Sequence, residues 1–92
     1  MKIPNKIKIG GVIYKVIIID NWFDRNDADG EVFYDKKKGN SIFLGSNLSK
    51  EAREITFIHE ALHCMNTTMN HEFLDSLSEQ LYQFLSDNKL LK

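Results

Sequence analysis

The segment His59-Glu60-Ala61-Leu62-His63 has the residue types and the spacing for metal chemistry. On an α-helix, side chains four positions apart stand one above the other, with Cβ atoms about 5–6 Å apart. Two imidazoles so placed can converge on one ion at about 2.0–2.1 Å each, the nitrogen ligand distance of zinc. Glu60 lies one position round the helix from His59, where its carboxylate reaches a water activated by the metal without becoming a ligand. That is the place of a general base in zinc-dependent hydrolysis of peptide bonds. Zinc is the expected cofactor, His59 and His63 are expected ligands, and Glu60 is the expected catalytic residue.

A helix over about 50–65 must carry this segment. Ser49 suits its N-cap, and Glu51 and Glu54 fall in the first turns, where the helix dipole favours acids. Ile55, Ile58 and Leu62 form one apolar stripe, and His59, Glu60 and His63 an adjoining stripe away from that core face. Asn66 to Asn70 interrupts the helix, and Asn70 can cap a second one over about 71–87 with Leu74, Leu77, Leu81, Phe84 and Leu85 as its buried face. A loop this short makes the two helices antiparallel neighbours.

Catalytic zinc usually has three protein ligands and a water, so the histidine pair needs a third partner. The first turns of the second helix lie nearest, and Glu72 is the leading candidate there. Glu79, a further turn or two along, and His71, nearer the helix interface by angle, are its rivals. Asp75 is placed to hydrogen-bond a ligand histidine from behind the metal. Tyr34 and Tyr82 carry hydroxyls able to donate to a tetrahedral oxyanion, but their positions in the sequence assign that role to neither. Cys64 reads as a small buried side chain.

The first half of the chain reads as strands. Lys6 to Ile9 alternates, Gly10-Gly11 turns the chain, and Val12 to Ile19 is long and β-branched. Asp20 to Gly30 is polar, with Trp22 and Phe23 expected to anchor it. Its acidic residues mimic a calcium loop. Counting from Asp24, however, glycine falls at seven and Asp35 at twelve, which is not the EF-hand pattern. Glu31 to Asp35 and Asn40 to Leu44 then flank Lys36-Lys37-Lys38-Gly39, a solvated hairpin tip. About four strands over 6–44 are expected, with Ile42 to Leu44 lying nearest the metal-binding helix and open to an extended peptide.

Ninety-two residues, 42% apolar and 27% charged, describe one modest soluble domain. A net charge of −1 makes no electrostatic case for nucleic acid or an anionic membrane, and neither is expected as a partner. A lone cysteine, no leader-like apolar segment and no run near the length of a membrane span predict a cytoplasmic protein.

On these residues the chain resembles a minimal zincin, of the kind found in small metallopeptidases of phages and mobile elements. The resemblance runs through Ile7 to Val16, Glu54 to His63 and Glu72 to Ser78, as far as Asp87-Asn88. It implies an α+β fold with a small antiparallel sheet followed by two antiparallel helices, and a protein or peptide substrate. Asn70 to Asp75 is similar to the third-ligand motif of gluzincins, which places Glu72 on zinc and Asp75 behind a histidine. Here His71 interrupts the Asn-Glu pair and the aspartate comes one residue early. Asn66 and Met69 stand where metzincins have glycine and a third histidine, which excludes that class. The alternative is a non-catalytic, zinc-stabilised interaction or regulatory module of a phage or mobile element.

Overall fold

The computed structural model describes residues 1–20 and 30–91. Within them the order is β1 (Lys6–Ile9), β2 (Val12–Ile19), β3 (Gly30–Phe33), β4 (Asn40–Gly45), α1 (Lys50–Met65) and α2 (His71–Asp87). The α+β class and both helix spans match the expectation. Asn21 to Asp29, with the proposed Trp22 and Phe23 anchors and most of the calcium-like stretch, lies outside the described residues.

Gly10 and Gly11 sit at φ 57° and 83° between the paired Ile9 and Val12. Two successive left-handed residues make the tight turn whose twist matches that of the flanking strands. The Asp35 carboxylate accepts the backbone N–H groups of Lys37 and Lys38 at 2.8 and 3.1 Å, which closes the second hairpin.

The sheet is mixed rather than antiparallel. Its order is β1-β2-β4-β3, and β2 pairs with β4 in parallel. The residues between β2 and β3 are numerous enough to take β3 to the far edge, so β4 returns between them, running the same way as β2. Burial explains the arrangement: β4 carries Ile42 and Leu44, both 0% exposed, whereas the short β3 carries Glu31 and suits an edge.

Side chains alternate across the pleat, so Tyr14, Val16, Ile42 and Leu44 meet Phe57 of α1 on one face. Helix α2 covers the other side of α1. Contacts between His63 and His71, His59 and Asp75, and Tyr82 and Glu54 run in opposite sequence order, so the two helices are antiparallel. Both N-caps are as expected: Ser49 Oγ accepts from Ala52 N–H and Asn70 Oδ1 from Phe73 N–H. Among the described residues no helix is long and apolar enough to cross a membrane.

Two expected faces need correction. Covered on two sides, α1 buries Glu54, Thr56, Phe57 and Glu60 more deeply than Ile55, Ile58 and Leu62. Helix α2 touches chiefly α1, so its seam is narrow: Leu74 and Ser78 are buried, whereas Phe84 is exposed.

Gly30 marks the closest approach of β3 to α1. A Cβ there would lie 2.7 Å from the Phe43 carbonyl oxygen and 2.9 Å from Thr56 Cγ2. Gly30→Ala must therefore push β3 from its neighbours, at a cost of about 1–3 kcal/mol. Denaturant unfolding reads this directly; an unchanged midpoint would mean that the contact relaxes without cost.

Candidate metal centre

Three imidazoles meet where the last turns of α1 face the first turn of α2. The ring centroids of His59 and His63 are 4.8 Å apart, those of His63 and His71 4.9 Å, and those of His59 and His71 5.8 Å. One ligand atom from each lies within 4.8 Å of the others, so His59, His63 and His71 could hold a metal ion. Ligand nitrogens of a tetrahedral zinc site stand about 3.3 Å apart, so small side-chain rotations would bring the three onto one ion.

The supporting contacts suit that use. His59 Nδ1 lies 3.0 Å from Asp75 Oδ1, which leaves Nε2 on the other side of the ring as the ligand atom. Burial lowers the pKa of His59, Asp75 opposes the shift, and His71 adds to it. His63 is lowered by burial and by both neighbouring histidines, against Asp75. Lowered values keep these rings neutral near pH 7, the form that ligates.

Glu60 is 6% exposed, with Oε1 3.9 Å from His59 Nε2. Burial, with the negative charge of Glu31 adding to it, pushes its carboxyl up to about 7. A carboxyl poised there can both take and return a proton near neutral pH.

Glu72 is not part of the cluster. It sits exposed in the first turn of α2, where one step of helical rotation from His71 turns it towards solvent. Glu79 lies farther along α2, in a cleft of about 470 Å³ shared with Glu51, Tyr82 and Asp87. Of the candidate third ligands, only His71 joins His59 and His63. Its position at the helix interface was legible from the helical wheel; that it, and not Glu72, meets the other two histidines was not.

Tyr82 is engaged elsewhere. Its hydroxyl donates to Glu54 Oε2 at 2.7 Å, and the N-terminal nitrogen of Met1 lies 2.6 Å from Glu54 Oε1. Burial alone would raise the Glu54 carboxyl, but these two donors hold it below its ordinary value. The same bond is the main cause pushing the Tyr82 phenol up to about 12. Nothing local in the sequence marks Glu54 and Tyr82 as partners, since 28 residues separate them. Tyr34 is exposed and packs edge-on against Tyr14, with ring centroids 6.3 Å apart. Half-buried Cys64 packs against the edge of the core.

The raised Glu60 carboxyl has a pH signature in the metal-free protein. Below its ordinary value of 4.5, folded and unfolded chains both carry the proton, and Glu60 costs nothing. As pH rises from 4.5 through about 7, the unfolded chain releases the proton first, so stability falls towards a full penalty of about 3 kcal/mol. In chelator, Glu60→Gln should gain stability relative to wild type across that window and show no pH-dependent difference below it. Parallel pH profiles for the two proteins would rule out the raised carboxyl.

Comparison with protein-family models, curated proteins and solved structures finds no match to this chain, so a functional reading rests on the chemistry of the site.

Proposed function

We propose that the chain is a zinc-dependent peptidase in which His59, His63 and His71 hold the metal. The observation carrying this reading is the convergence of three imidazoles beside a buried carboxyl whose proton affinity is matched to neutral pH. A zinc ion there would polarise a peptide carbonyl and acidify water. Glu60 accepts the proton of the attacking water and passes it to the leaving amine. Asp75 holds the His59 ring with Nε2 presented to the metal.

Three protein donors leave one tetrahedral position for water, which favours catalysis over a closed structural site. The substrate strand pairs with β3 rather than with the Ile42–Leu44 segment. Strand β4 is enclosed by β2 and β3, whereas β3 is an edge strand packed beside α1.

Metal analysis of purified variants separates the ligands. About one zinc per chain is expected in wild type and in Glu72→Ala, and little in His63→Ala or His71→Ala. Zinc retained in His71→Ala but lost in Glu72→Ala would return the third ligand to Glu72. With a fluorogenic peptide library as substrate, Glu60→Gln should keep its zinc and lose cleavage by about 10²–10⁴-fold. Cleavage at the wild-type rate would remove Glu60 as the base.

A further inference from the structure

Helix α2 is held to the rest of the fold by little that is apolar. Among the described residues its one extensive contact is with α1, and of its 17 residues only Leu74 and Ser78 are buried. Its two phenylalanines, Phe73 and Phe84, are 57% and 56% exposed. An isolated helix of this size is marginal in water, so its order depends on what fastens it to α1.

The polar ties between the helices differ from one end of the seam to the other. At the far end the Tyr82 hydroxyl donates to the buried Glu54 Oε2 at 2.7 Å. At the near end Asp75 meets His59 at 3.0 Å, but Asp75 is 65% exposed, and an ion pair so open to water contributes little. What remains there is the histidine cluster, to which α1 supplies His59 and His63 and α2 supplies His71. The bare rings give α2 only weak aromatic contacts, whereas an ion shared by all three fastens one helix to the other.

We infer that the metal is what docks α2: in metal-free protein the helix swings clear of α1, and an ion on His59, His63 and His71 seats it. The inference rests on the three-histidine centre of the proposed function, but not on peptidase activity. Its consequence is a site that assembles on demand. A detached α2 carries away His71 and Asp75 and leaves a histidine pair alone on α1. The concentration of free zinc then sets the fraction of chains with a complete centre. Linkage also runs the other way: a change that weakens the seam must weaken metal binding, however far it lies from the ion.

Tyr82 tests this, because it lies about 16 Å along α2 from His71, too far to touch the ion. In competition with a chromophoric zinc chelator, Tyr82→Phe should bind zinc about 10-fold more weakly than wild type, having lost one hydrogen bond to a charged acceptor. Amide hydrogen exchange read by mass spectrometry follows the helix directly. Removing zinc from wild type should raise exchange across 71–87 while β2 and β4 stay protected. His63→Ala should exchange there equally fast with and without zinc. Equal zinc affinity in Tyr82→Phe and wild type, or equal protection of α2 with and without zinc, would overturn the inference and leave the centre standing. So would loss of protection throughout the sheet, which would make the metal a condition of the whole fold. Failure of wild type to bind zinc at all would remove the centre and the inference together.

Discussion

Helix α1 is covered by the sheet on one side and by α2 on the other, and the chemistry of its polar groups follows from that double burial. Phe57 packs down onto Tyr14, Val16, Ile42 and Leu44. Glu60, three residues on and nearly on the same face, goes down with it. His59 and His63 fall on the flank that meets α2, where His71 and Asp75 arrive from the opposite direction. The two deeply buried carboxyls of this helix have contrasting fates. Glu54 meets two donors, Tyr82 and the Met1 nitrogen, and is held in its charged form. Glu60 meets desolvation and the charge of Glu31, and its proton is retained to about pH 7. The same residue type is tuned in opposite directions by its neighbours, as happens where one carboxyl is structural and the other is to move a proton.

The contact between α1 and α2 is thin in apolar terms. Leu74 is wholly enclosed, but the next buried position, Ser78, spends its hydroxyl on the Asp75 carbonyl. Much of the seam is polar instead: three imidazoles at one end, and the Glu54–Tyr82 bond nearer the other. A metal shared by histidines from both helices would tie them together where hydrophobic burial is least, so metal binding and the docking of α2 would be coupled. In a domain of this size such a cross-link is a large share of the available stabilisation.

Charge is distributed as unevenly as burial. Helix α2 carries Glu72, Asp75, Glu79 and Asp87 without a single Lys or Arg, while exposed Lys6, Lys8 and Lys15 stand on the face of the sheet turned away from the helices.

Much of this was open to reading in the chain itself, wherever the determinant was local. The helix spans, their Ser49 and Asn70 caps, the Gly10-Gly11 turn and the i, i+4 histidine pair depend on residues within a few positions of one another. The pairing of Asp75 with a histidine was also legible, because a short loop leaves antiparallel helices little choice of neighbours. The parallel pairing of β2 with β4 was not, since it depends on which strand is apolar enough to be enclosed from both sides. The convergence of His71 rather than Glu72 required the crossing geometry of two helices, and the depth of Glu60 required knowing that α1 is covered twice. Sequence by itself determined the residues capable of metal chemistry and the helices that carry them, because helical periodicity is a short-range rule. Only the tertiary structure decided which side chains share a site, which carboxyl keeps its proton and which face collects the lysines, because those depend on burial and on charges brought together from distant positions.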